Sequence, residues 1–150
     1  LNERPLSEIK PKAVGPPASG KQAGARAPDG DSLVLLEAKT SVQARVSALD
    51  GPPADLPDGL VAFTDFLGLD RDPKDARANV TLKIVVPEGA CPPEQFDRLV
   101  LYGYRFGKGW YEVKGTKTDK GTRTVSGFDE IARGVRVYVV LGPADLRPAG

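Results

Sequence analysis

The sequence predicts an all-β protein: an antiparallel β-sandwich, jelly-roll or Ig-like, of about seven strands, with an extended N-terminal arm in front of it. Three observations predict this. Apolar and polar residues alternate through most of the chain after Leu33. Clusters of Gly, Pro and Asp interrupt that alternation at short intervals. No stretch carries the 3.6-residue period of a long amphipathic helix. The reading divides the chain into an arm over 1–30, a sandwich over 31–142 and a loose tail over 143–150.

The arm holds Pro5, Pro11, Pro16, Pro17 and Pro28, and Gly15, Gly20, Gly24 and Gly30. Its large apolar residues are Leu1, Leu6, Ile9 and Val14, and it has no aromatic. Such a segment buries too little surface to offset its own ordering entropy. It is expected to be extended or disordered in an isolated subunit and to gain order only by lying against something else. Stretched, it would reach on the order of 100 Å. Leu6, Ile9 and Val14, and the alternating Ala23, Ala25 and Ala27, are its candidate contacts with a partner.

From Val34 to Ala48 every second residue is apolar or small, with Glu37, Lys39, Gln43 and Arg45 between. That is a half-buried strand, long enough to bend or split. Asp50-Gly51-Pro52-Pro53 ends it. Leu60 to Leu67 reads as a strand carrying Phe63 and Phe66, and Asp70 to Asp75 as a turn. Val80, Leu82, Ile84 and Val86 mark a strand stopped by Pro87. Pro93 to Asp97 suits one helical turn. Leu99–Phe106 and Trp110–Val113 form a hairpin around Gly107-Lys108-Gly109. Asp119-Lys120-Gly121 is the next turn, before a strand over Thr122 to Val125, and Val135, Val137, Val139 and Leu141 close the domain.

Composition narrows the chemistry. There is no histidine, the usual general base, and the one cysteine, Cys91, permits neither an internal disulfide nor a zinc cluster. No glycine-rich phosphate loop precedes a helix. The expectation is therefore a protein that is not an enzyme. Net charge is +1 and no apolar run suits a membrane helix, so neither nucleic acid nor a membrane span is expected. The lack of His and Met, with Asn only at 2 and 79, fits a thermophile, although a Lys and Glu surplus is missing. The chain opens at Leu1 rather than Met, as a processed chain or a fragment would.

Asp70, Asp72 and Asp75 form a weak calcium candidate. Closely spaced carboxylates suit a hard cation, but Arg71 and Lys74 offset their charge. A solvated turn is the stronger reading, and no other cofactor is expected. Asn79-Val80-Thr81 is a glycosylation sequon. Trp110, Tyr111, Tyr102, Tyr104 and Phe106 gather on one hairpin, either as core and cross-strand cover or as a sugar-stacking platform.

The runs Asn79–Pro87, Leu99–Tyr104 and Gly109–Val113 resemble β-sandwich modules of archaeal cell-surface proteins. The closing strand after Gly127-Phe128 departs from that pattern. With the arm, the chain also resembles donor-strand subunits of extracellular fibres of the bundling-pilus and TasA type. The resemblance implies a cell-surface location, copies of the chain itself as partners, and no catalytic residue. It leads to an expected function as a structural subunit of an extracellular filament, polymerising by insertion of the arm into a neighbouring sandwich. A capsid decoration protein with a lacing arm, or a carbohydrate-binding or adhesive module, are the alternatives. An arm seated on its own subunit would remove the premise of strand donation.

Overall fold

The structure, a computed structural model, describes residues 2–147. Leu1 of the arm and 148–150 of the tail lie outside the described residues.

The strands are β1 (Pro11–Val14), β2 (Ala18–Arg26), β3 (Leu33–Leu49), β4 (Leu60–Ala62), β5 (Leu67–Asp72), β6 (Ala78–Val85), β7 (Val100–Arg105), β8 (Gly109–Glu112), β9 (Lys114–Asp119), β10 (Thr124–Ile131) and β11 (Arg136–Pro143). All their pairings are antiparallel. The main path runs β8-β7-β11-β5-β3-β6-β10-β9, with β1 and β2 against β3 and β4 against β11. Helix is confined to short 3-10 turns, one of them over Pro93–Arg98 as the sequence predicts.

Two crossings make the sheet nearly a closed barrel. The first is β3, 17 residues long, whose Leu33–Glu37 pairs with β6 while Gln43–Ala48 pairs with β5. Its predicted bend lies between these halves, where the register with β2 slips between Gly20 and Gln22. The second crossing is β8 into β9. β8 pairs with β7 and β9 with β10, and the Val113 amide donates to the Leu101 carbonyl at 2.9 Å between them. The interior is one apolar core, including Leu36, Leu82, Val125, Leu69, Leu101 and Val140.

The arm is the first correction. Residues 18–26 are a strand of their own subunit, paired with β3 along most of its length. Ala23, Ala25 and Ala27 are at most 1% exposed. Alanine serves here because β2 lies close over β3: methyl groups fill a space that larger side chains would overpack. Backbone contact is closer still at Gly15, where a Cβ would stand 2.2 Å from the Arg26 carbonyl oxygen. A short turn locks β2 to β3, with Asp29 Oδ1 accepting from the amides of Asp31 and Ser32 at 2.9 and 2.8 Å. The expectation of an arm without its own order is therefore overturned for its described residues: residues 11–30 form strands and a turn, and residues 2–10 rest on the same subunit. Large side chains were not needed, because the hairpin supplies backbone pairing.

Other boundaries also move. The described fold has eleven strands rather than about seven, since β1, β2, β5 and β9 join those anticipated. The expected strand over 60–67 is broken, and its two ends pair as β4 and β5 with β11. The expected turn at Asp70 to Asp75 begins only after Asp72, because Asp70 and Asp72 face outward from β5. The tail is not loose throughout: Leu146 is 3% exposed in a 3-10 turn.

Candidate functional site

The outer face of β7, β8 and β11 carries a second apolar cluster. Tyr104 and Val137 lie with Ala54, and Phe66, Phe106 and Trp110 pack around them. These residues alternate along their strands with the interior ones, so their face needs separate cover. The proline-rich loop after β3 supplies part of it, and residues 2–10 the rest.

Those first residues are held by polar contacts. Glu3 Oε2 accepts from the Tyr104 hydroxyl, and from the Gly107 amide at 2.8 Å. Both bonds favour the carboxylate and hold its pKa below the ordinary value. The Arg4 guanidinium grips Asp50 at 3.1 and 3.2 Å and donates to the Pro52 carbonyl at 3.2 Å. Asn2 reaches the Asp55 carboxylate at 3.4 Å. The Asp50 pKa falls, chiefly because Arg4 bonds to it.

Beyond this clamp the segment borders a groove of about 490 Å³. Leu6 and Ile9 line it together with Leu49, Val137 and Phe106. Arg71, Lys74, Asp70 and Asp75 crowd one end, leaving it without a dominant charge. Leu6 is not seated: it is 52% exposed. Val14 on β1 is 51% exposed, and Phe128 on β10 is the remaining large apolar side chain exposed among the described residues. Among the described residues β1 and β2 each pair only with β3, which leaves their other edges without a strand.

The sequence-derived candidates fare differently. Leu6 and Ile9 line the groove and Val14 is exposed on β1 opposite Ser47, another lining residue, whereas Ala23 and Ala25 belong to the core and offer a partner nothing. Asp70, Asp72 and Asp75 do not converge. Among the described residues no three such side chains are placed to hold a metal. Asn79 is exposed on β6, opposite Glu37 and Glu130, and so sterically open. Cys91 is buried, and burial pushes its thiol pKa up.

The Trp110 ring packs edge-on against Tyr104 at 4.9 Å, and its indole N–H donates to the Asp55 carbonyl at 2.8 Å. That arrangement matches core and cover on the side of Trp110 that meets Tyr104, while the ring as a whole is half-buried.

Sequence reasoning missed Glu3 and Arg4. The Glu8 carbonyl aside, their side-chain partners lie 46 to 104 residues away, at a distance no periodicity reveals. The chain matches no family model, no curated protein and no solved structure.

Proposed function

We propose that this chain is a non-catalytic structural subunit of an extracellular assembly, and that copies join through exchange of residues 1–10. The observation that carries the reading is the pairing of Leu6 with its groove. A large apolar side chain stands half in water beside an apolar trough on the same molecule, and Val14 is exposed nearby. A second copy covers both. Among the described residues, the edges of β1 and β2 that no strand pairs add unpaired backbone groups on the same flank, the kind of edge that partner strands complete.

Exchange is proposed for residues 1–10 and not for β2. The clamp at Glu3 and Arg4 is exposed for most of its polar contacts, which water replaces at small cost, while the bonds to Tyr104 and Pro52 are half-buried. Release of β2 would instead expose core alanines and the whole face of β3. Swapping of a terminal segment repeats its own contacts between subunits, and the connection it creates brings the second copy over Leu6 and Val14.

Sedimentation velocity of the full chain over a wide concentration range tests this, with negative-stain imaging of the heavier fractions. The wild type is expected to form concentration-dependent oligomers, and the L6D/I9D variant to stay monomeric with an unchanged circular dichroism spectrum. A wild type monomeric throughout, or a variant that assembles equally well, would overturn the reading.

A further inference from the structure

One end of the barrel interior is polar. Arg71 shares the inward side of β5 with Leu67 and Leu69, and Arg136 shares that of β11 with Tyr138 and Val140. Asp129 shares that of β10 with Val125 and Ile131. Tyr111 reaches in from β8. The sequence thus places two arginines and one aspartate at positions whose neighbours are core.

The aspartate is fully engaged. Its Oδ2 accepts from the hydroxyls of Tyr111 and Tyr138 at 2.5 and 2.7 Å, and its Oδ1 accepts from the Glu130 amide at 2.9 Å. Burial and this carboxylate push the Tyr138 and Tyr111 hydroxyls upward in pKa, so both stay neutral donors.

The arginines are not so satisfied. Arg71 is 7% exposed and Arg136 4%. Both close on the turn before β11. Arg71 donates to the Gly134 carbonyl at 2.7 Å, and Arg136 to the Arg133 carbonyl at 3.1 Å. Arg71 also donates to the Ala76 carbonyl at 2.8 Å. Carbonyls are neutral acceptors, and neither guanidinium forms an ion pair within 4.0 Å among the described residues. Arg71 Nη2 and Arg136 Nε find no protein acceptor, the only such buried side-chain nitrogens among those residues. Grips on adjacent carbonyls bring the two cations close enough for Arg136 to weaken the protonation of Arg71, after desolvation the largest influence on it. Tyr138, and after it Asp75, exposed on the turn beyond β5, act in the opposite direction.

Two buried cations thus face one half-buried carboxylate that two tyrosines already hold. An uncompensated buried charge is costly, and a buried N–H without an acceptor adds to that cost. We propose that a single monovalent anion of chloride size binds between Arg71 Nη2 and Arg136 Nε, completing both the charge balance and the hydrogen bonds. It enters from the groove, which Arg71 and Gly134 line. The inference is independent of subunit exchange, because the site lies within one copy.

The full chain, prepared in gluconate, is titrated with sodium chloride or sodium bromide at constant ionic strength while thermal unfolding is followed. A saturable rise in Tm is expected, of about 5–10 °C at a hundredfold excess over Kd. Crystals grown in bromide should show an anomalous peak between the two guanidinium groups. R136M should lose the halide-dependent rise. Should that variant not fold, the wild-type bromide peak still decides. A Tm indifferent to halide, or a water bridging the two nitrogens where bromide was expected, would overturn the proposal.

Discussion

Replacing Gly103 by alanine tests the seam where β8 passes into β9. Gly103 lies opposite Tyr111 in the β7–β8 pair, and a Cβ there would stand 2.4 Å from the Tyr111 Cζ and 2.5 Å from its Oη. The end of a tyrosine ordinarily swings aside at little cost. Here the hydroxyl donates to Asp129 on β10, so the ring cannot yield without breaking a bond to a carboxylate. Losing it costs about 1.5–3 kcal/mol. Alanine in place of glycine returns about 0.5–1 kcal/mol through the lower entropy of the unfolded chain. The net expectation is destabilisation by about 1–2 kcal/mol, read as a lower urea midpoint with unchanged slope. In a Y111A background the obstruction is gone, and the same G103A change should be neutral or stabilising. In Y111F the ring remains but is free to move, so the cost should be intermediate. An equal cost of G103A in all three backgrounds would refute the reasoning, because the penalty would then not pass through the Tyr111–Asp129 bond.

Further outcomes follow from the same contacts. A25D places an unpaired charge at a position 0% exposed and should lower Tm by more than about 10 °C, checked by calorimetry; an intact transition would return β2 to the status of a dispensable arm. The folded pKa of Glu3 is lowered, so its contribution is complete above the ordinary value of 4.5 and fades as pH falls from there through the folded value. The protection of the Gly107 amide, its exchange relative to the intrinsic rate at each pH, should therefore fall below that pH in the wild type, and E3Q should abolish this acid dependence. Cys91 should react with a thiol reagent only at the rate of unfolding, since the group is buried and its pKa raised.

The strands with strong alternation were legible. β3 and β6 announce themselves because each buries one face of large aliphatic side chains. The β7–β8 hairpin and the Asp119 turn follow from local chemistry: Gly107 and Gly109 adopt φ of 82° and 102°, and Asp119 Oδ1 accepts from the Gly121 amide at 2.9 Å. β2 was hidden because its core face is made of alanines, whose burial depends on a partner 7 to 26 residues ahead in the chain. β5 was hidden because Asp70 and Asp72, read as turn formers, are its outward residues. The groove was partly legible, since Leu6, Ile9 and Val14 stand out in a polar segment. Its remaining lining comes from β3, β11 and the β7–β8 turn, which only the topology brings together. Arg136 carried a signal that went unread: it occupies the inward position two residues before Tyr138.

Intermolecular paramagnetic relaxation tests subunit exchange most directly. One batch carries a nitroxide at L6C in a C91A background, and a second, unmodified batch carries ¹⁵N. After mixing and equilibration at assembling concentrations, the account predicts broadening of the Leu49, Gly68 and Val137 amides in the ¹⁵N-labelled copies. Sharp signals there, with broadening confined to a chain that carries both labels, would mean that each copy keeps its own first ten residues, and the account would be wrong.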